Sequence, residues 1–177
     1  MRKELFVALT AALPLKAMSQ DGRPPQIIVC DESRGCPHQF INGGEFKFIK
    51  DHNLVVAASA DNGWLQPKFR SFTVMVKNDT DQDIDVIPAQ FVLEEIEPKA
   101  KLYNAIAAEK VASTVDRGMH YEDVMKLALR ANTVATHDSV VGSVFFEHSK
   151  SAKIIRLNVV VNGVIYQFPV SPDAESR

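Results

Sequence analysis

The chain has 177 residues, of which 46% are hydrophobic and 24% are charged, and its net charge at pH 7 is -2. This composition is typical of one globular domain whose core is large enough to fold without disulfide or metal crosslinks. The near-neutral balance and the lack of any basic block exclude the electrostatic footprint of a nucleic-acid-binding protein. Because no apolar run approaches the roughly 20 residues that cross a bilayer, we expect no membrane span in the mature chain.

The first 19 residues have the pattern of a signal peptide. Arg2 and Lys3 supply positive charge, residues 5–15 form a mainly apolar run, and Ala17-Met18-Ser19 resembles a cleavage site. We therefore expect residues 1–19 to be removed and the mature protein to be periplasmic or secreted. The alternative is a cytoplasmic protein that keeps an ordinary N-terminal helix.

Residues 20–44 are interpreted as a polar leader followed by a cysteine loop. Cys30 and Cys36 enclose a short, turn-like stretch, and an oxidising compartment favours a disulfide between them. Two free thiols are one alternative. The other is a zinc site that also uses His38, although the spacing is wider than in a zinc knuckle and no second ligand pair follows.

The central stretch, residues 71–97, is predicted to form a strand, a polar turn and a returning strand. Phe72, Val74 and Val76 alternate with residues that point the other way, as in a strand with one buried face. Residues 78–82 favour a tight turn, after which the apolar pattern resumes and is kinked at Pro88. Two earlier strands are expected near residues 46–48 and 54–60.

A helical insertion is predicted at about residues 98–131. Residues 99–112 are rich in the helix formers Ala, Lys, Leu and Glu. A second helix is indicated by apolar residues at helical spacing, namely Tyr121, Val124, Leu127, Ala128 and Ala131.

The C-terminal third carries the clearest signal, an Asn162-Gly163 turn between two apolar runs. A two-residue turn pairs Val161 with Val164 and places alternate residues on one predicted core face. That face comprises Ile155, Leu157, Val159, Val161, Val164, Tyr166, Phe168 and Val170. The opposite face is expected to meet solvent. With a further strand at residues 140–146, the pattern predicts a mainly β fold, an immunoglobulin-like β-sandwich of antiparallel strands over residues 45–171, with a two-helix insertion.

Two segments carry a resemblance to a known class of proteins. The segment FTVMVKNDTDQDIDVIPAQFVLE, from Phe72 to Glu94, resembles the V-x-N-x-(S/T)-x-x-x-I-x-V-x-P strand–turn–strand of secreted bacterial immunoglobulin-like accessory domains. Gly142 to Phe146 is similar to a later strand of those domains, although Thr136-His137-Asp138 stands where they carry Pro-Gly. The resemblance implies an immunoglobulin-like fold and an extracytoplasmic location, and it includes no catalytic signature.

An acidic run, Asp79, Asp81, Asp83 and Asp85, is the candidate for metal chemistry. Oxygen-rich loops can hold calcium, but an EF-hand is excluded because Ile84 and Gln90 stand where its glycine and bidentate glutamate belong. We interpret the run as the solvated rim of a hairpin. Asp79, Asp81 and Asp83 remain the candidate ligands if a cation binds there.

No catalytic or cofactor-binding motif is present. His52, His120, His137 and His148 are scattered over predicted turns and the insertion, and the sequence contains no G-x-S-x-G elbow, phosphate loop or dinucleotide fingerprint. Trp64 is expected to cover one end of the core. We therefore predict a non-enzymatic binding or structural accessory module of the bacterial cell envelope, with no cofactor and with another envelope protein as its partner. The alternative is a small secreted hydrolase or metal-dependent enzyme that uses loop-borne Asp and His residues.

Overall fold

The computed structural model describes residues 24–31, 36–60, 69–96, 100–114, 121–147 and 155–170. Over these ranges the fold is mainly β, as predicted, with two sheets and two short helices. The strands are β1 Ile27–Val29, β2 His38–Ile41, β3 Gly44–Asp51, β4 Leu54–Ala60, β5 Phe69–Asn78, β6 Ile84–Val86, β7 Val92–Glu95, β8 Lys101–Asn104, β9 Asn132–Val134, β10 Asp138–Glu147, β11 Ile155–Val161 and β12 Val164–Val170. The helices are α1 Ala108–Ala112 and α2 Tyr121–Leu127.

The strands form two sheets that enclose one main core. Sheet 2 has the order β10-β5-β4-β3-β2 and is antiparallel throughout. In sheet 1, β1 pairs with β12 and β12 with β11, while β6 and β7 share the other side of β11. Strand β1 runs parallel to β12, which departs from the expected all-antiparallel arrangement. Both β1 and β2 precede residue 45, so strands of the two sheets begin before the predicted domain start.

The predicted hairpin of β11 and β12 has the expected register. Val161 pairs with Val164, and the pairing continues to Ile155 opposite Val170. The turn residues Asn162 and Gly163 both have positive φ angles, 49° and 76°, as a tight two-residue turn requires. Six of the eight predicted core side chains are buried and the other two are partly buried, so this core prediction is confirmed.

The opposite face of this hairpin is less exposed than predicted. Asn158 is only 6% exposed and Ile165 only 4% exposed. The side-chain amide of Gln167 donates to the side-chain oxygen of Asn158 at 2.9 Å. This bond gives the buried oxygen of Asn158 a hydrogen-bond partner.

The insertion differs from the prediction in its first half. Residues 101–104, expected to be helical, form strand β8 against β7, and α1 begins only at Ala108. Strand pairing beside a buried sheet here overrides an intrinsic helix preference of a few tenths of a kcal/mol per residue. The second helix, α2, lies within the predicted range. No helix of the described residues is long and apolar enough to cross a membrane.

A proline divides the returning strand into two parts. A 3-10 turn at Pro88–Gln90 separates β6 from β7, although both pair with β11. Their outer neighbours also differ, because β6 pairs with β9 and β7 pairs with β8. The edge of sheet 1 is therefore split, and the chain leaves it after β8 and returns to it as β9.

The insertion covers one lateral side of the sandwich. Val111 of α1 and Val124 of α2 pack with Phe69 and Phe145 on the outer face of sheet 2. The Ile106 N–H donates to the Phe145 carbonyl at 2.8 Å. These contacts protect part of the β10 edge, which would otherwise present unpaired backbone groups.

A disulfide closes the crossover on the opposite lateral side. Cys30 and Cys36 are joined, with their Cα atoms 5.2 Å apart, as the predicted pairing requires. The crossover connects β1 of sheet 1 to β2 of sheet 2. The Cys30 N–H donates to the Gln167 carbonyl in sheet 1, and the Pro37 carbonyl accepts from the Phe48 N–H in sheet 2, each at 2.8 Å. The loop is thus attached to both sheets, and neither cysteine is left as a thiolate for zinc.

Replacing Gly142 with alanine is expected to destabilise the protein by about 2 kcal/mol. A Cβ at this position would lie 2.7 Å from the backbone N and Cα of Leu129, neither of which can move without displacing the insertion. Urea unfolding measures the change. Ser139→Ala, at an exposed position of the same strand, is the matched control and should change stability by less than about 0.5 kcal/mol. Equal stability of the two variants would contradict this packing argument.

A cross-sheet hydrogen bond makes stability sensitive to alkali. The Tyr166 hydroxyl donates to an Asp51 carboxylate oxygen at 3.1 Å, and burial, followed by this bond, raises the pKa of Tyr166 well above its usual value. Above pH ~10 an unfolded tyrosine loses its proton while folded Tyr166 keeps it, so alkali favours unfolding.

We expect Tyr166→Phe to reduce the alkaline loss of stability by up to about 1.4 kcal/mol per pH unit above pH ~10. Urea unfolding between pH 8 and 11 checks this slope. Tyr103→Phe is the comparison variant. Because burial also raises the pKa of Tyr103, this substitution should likewise reduce the alkaline loss of stability. An unchanged slope in the Tyr166 variant would show that Tyr166 titrates equally in the folded and unfolded chain.

Candidate binding site

The acidic turn after β5 connects the two sheets and does not form a hairpin. Strand β5 belongs to sheet 2 and β6 to sheet 1, so the predicted hairpin rim is wrong. Local alternation predicts both strands but cannot show which sheet each one joins.

Asn78 organises this connection. Its side chain is fully buried, and its amide nitrogen donates to the Gln82 carbonyl at 2.8 Å and to the Val134 carbonyl at 2.9 Å. Its side-chain oxygen accepts from the Thr80 hydroxyl at 2.6 Å and from the Thr80 N–H at 3.0 Å. The Asn and Thr of the V-x-N-x-(S/T) segment therefore hold the turn in place and attach it to β9.

The acidic side chains make separate contacts with the protein. Asp79 accepts from the Lys77 ammonium at 2.6 Å, and this bond is the main cause that holds the pKa of Asp79 below its usual value. Asp83 accepts from the Thr136 N–H at 3.3 Å, while Asp81 is exposed. Among the described residues, no three His, Cys, Asp or Glu side chains are placed to hold a metal ion. Metal binding by Asp79, Asp81 and Asp83 stays an untested prediction.

The two described histidines of the predicted turns each contact a carboxylate. His52 is 94% exposed and lies 2.7 Å from an Asp51 oxygen, and His137 lies 3.8 Å from Asp79. No hydroxyl of the described residues donates to either ring. His137 has a φ of 65°, the left-handed conformation that the glycine of a Pro-Gly turn would adopt more readily. His120, His148 and Trp64 lie outside the described residues.

A cleft lies at the split edge of sheet 1, beside the insertion. Its volume is about 580 Å³, within the range typical of ligand sites. The 3-10 turn forms one wall, and the segments next to α1 and α2 form the others. The lining is mainly apolar and includes six alanines, Ala89, Ala105, Ala107, Ala108, Ala128 and Ala131.

The cleft follows from the proline break. Strand β8 ends at Asn104 and β9 begins at Asn132, so neither strand pairs with the turn between β6 and β7. The backbone of this turn makes its own hydrogen bonds. The Gln90 N–H donates to the Ile87 carbonyl and the Phe91 N–H donates to the Pro88 carbonyl, each at 2.9 Å. A gap in the sheet can therefore persist without orphaned donors.

Two residues of opposite charge lie among those that line the cleft. Glu109 is in the first turn of α1, and Arg130 follows α2 and donates to the Met125 carbonyl at 3.4 Å. Both side chains are exposed, while Ser143 supplies the one hydroxyl among the described lining residues. Among the described residues that line the cleft there is no histidine or cysteine. The described lining residues suit the binding of an apolar group.

A smaller groove of about 220 Å³ lies on the opposite side, between the β2–β3 turn and the end of β12. The Lys47 ammonium reaches across it to the Pro169 carbonyl at 2.9 Å. Phe40, which also lines the groove, is 71% exposed. This groove is smaller and is already bridged by the Lys47 side chain.

Sequence reasoning missed the cleft. The helical spacing places Ala128 and Ala131 in the second helix, yet α2 ends at Leu127 and Ala131 is exposed in the lining. The available signals were the proline kink and the many alanines of the insertion. Neither signal indicates a cleft until the sheet pairing is known.

Comparison with known proteins gives little similarity. No protein family and no curated protein matches the chain. A crystal structure of a putative lipoprotein from Bacillus subtilis aligns with 76% of this chain and 38% of that chain, at 14% sequence identity and a TM-score of 0.40. The chain thus spans less than half the length of that protein.

Replacing Asn78 with alanine is expected to cost about 3 kcal/mol of folding free energy, because it removes the hydrogen bonds of a fully buried side chain, including the buried bond to the Val134 carbonyl. Urea unfolding at neutral pH provides the measurement. Thr133→Ala removes an exposed 2.8 Å hydrogen bond to Asp85 and serves as the control, with an expected loss below about 0.5 kcal/mol. Comparable losses in the two variants would refute the organising role of Asn78.

Proposed function

We propose that this protein is a non-enzymatic binding module of the bacterial cell envelope that recognises its partner through the cleft beside the insertion. The observation that carries the proposal is the alanine-rich cleft of about 580 Å³ at the split sheet edge. Preformed apolar concavities with few polar groups are the usual form of binding sites. The partner predicted from the sequence is another envelope protein. A cleft of this size can also hold a small ligand of the envelope.

The location rests on two features of the chain. Residues 1–19, which lie outside the described part, have the charge and apolar pattern of a signal peptide. Cys30 and Cys36 are joined, and structural disulfides persist in oxidising compartments such as the periplasm. Both features support export followed by removal of residues 1–19.

Binding is favoured over catalysis by the side chains around the cleft. Among the described residues, the groups with shifted pKa values are Asp79, Tyr103 and Tyr166, and none of them lines the cleft. For both tyrosines the first cause is burial and the second is a hydrogen bond to a carboxylate, so each serves a structural contact. The hydrolase alternative requires a base and a nucleophile that converge in one cleft.

Photo-crosslinking in living cells tests the proposed function. A photoreactive residue at position 131, in the cleft, should yield a specific adduct in the envelope fraction. The same residue at position 135, which is exposed outside the cleft, should not. Mass spectrometry of the isolated protein should show a chain that begins after Ser19. Equal labelling from both positions, or an intact Met1, would contradict the proposal.

A further inference from the structure

We propose that the cleft binds a single linear aliphatic chain whose zwitterionic head group stays at its mouth between Glu109 and Arg130. This inference rests on the proposed function and names the ligand class of the same site. The relevant ligands are single-chain amphiphiles of the lysophospholipid type. Three observations support the assignment.

The first observation is the chemistry of the walls. Six alanines and the apolar side chains of Ile87, Ile106 and Val144 line the cleft. The methyl and methylene groups of a ligand can be buried against these walls because they need no hydrogen-bond partner. Each buried methylene then contributes about fourfold in affinity.

The second observation concerns the backbone, and it argues against an extended peptide. A peptide that adds to a sheet edge needs free main-chain donors and acceptors. The Ala105 N–H donates to Phe91 at 3.1 Å, and the Leu129 N–H donates to Ser143 at 2.8 Å. The Ile106 N–H is likewise engaged with Phe145, so these wall segments are already paired with the protein.

The third observation is the pair of opposite charges among the lining residues. Glu109 has no side-chain partner among the described residues, and Arg130 makes one long bond, to the Met125 carbonyl. A head group with one phosphate and one ammonium would complement both side chains. A head group with one sign of charge would meet one attractive and one repulsive side chain. Since both side chains are exposed, each contact should change affinity by only about two- to fivefold.

Fluorescence of N-phenyl-1-naphthylamine, a neutral apolar probe, tests the site with the mature chain. We expect saturable binding that Ala107→Leu and Ala131→Leu each weaken at least about fivefold, because the larger side chain occupies the cleft. Ala135→Leu, the same change at an exposed position outside the cleft, should leave binding unaltered. Urea unfolding of all three variants verifies that they are folded.

Displacement of the probe then identifies the ligand class. Decylphosphocholine should displace it about fifteenfold better than octylphosphocholine, which is shorter by two methylenes. It should also exceed decanoate and decyltrimethylammonium by about two- to fivefold. Glu109→Gln should selectively reduce the advantage over decanoate, and Arg130→Gln the advantage over decyltrimethylammonium.

The inference is overturned if folded protein binds no alkyl compound saturably, or if Ala107→Leu and Ala131→Leu bind as well as Ala135→Leu. It is also overturned if the two chain lengths bind equally. A protein adduct from position 131 in cells, together with failure of every alkyl probe, would refute the aliphatic ligand and leave the proposed function standing. Loss of the position-131 adduct would refute the proposed function itself.

Discussion

The break in the strand at Pro88 determines much of the arrangement around it. An uninterrupted strand along β11 would require one continuous neighbour on its outer side. The 3-10 turn instead leaves β6 and β7 with separate neighbours, β9 and β8. Because proline cannot donate to a sheet ladder, such a break is compatible with a strand next to the sheet edge. The cleft lies at this break, between the 3-10 turn and the segments next to α1 and α2.

The two lateral sides of the sandwich are closed by different means. On one side the insertion packs apolar side chains against sheet 2 and donates backbone hydrogen bonds to β10. On the other side a disulfide loop is attached to both sheets. The sheets are further connected at one end by the buried amide of Asn78. An apolar cluster, a covalent link and a polar network therefore contribute to a single fold.

Features that depend on local chemistry could be predicted from the sequence. The Asn162-Gly163 turn fixes the register of β11 and β12, because the strands beside a two-residue turn can pair in only one way that buries the alternating apolar residues. The kink at Pro88 and the helical character of residues 121–127 follow from equally local preferences. The pairing of the two cysteines was one of several options that the sequence left open.

Features that depend on distant pairing could not be predicted. Residues 101–104 have helix-forming neighbours, yet β7 recruits them as a strand. The sequence predicts a hairpin at the acidic turn because alternation does not reveal that β5 and β6 lie in different sheets. The cleft depends on both of these pairings. No single residue of the sequence indicates the cleft, because alanine occurs in helices, in cores and in pocket walls alike.

The position of Leu129 restricts how far the wall of the cleft can move when a ligand binds. Leu129 is part of the main core, it lines the cleft, and its backbone lies against Gly142 where no Cβ could fit. A wall that is also part of the core cannot swing outward without exposing the interior of the sandwich to water. The cleft should therefore keep its shape when a ligand binds. Selectivity would then come from the fit of the ligand to this fixed shape, with little reorganisation of the protein.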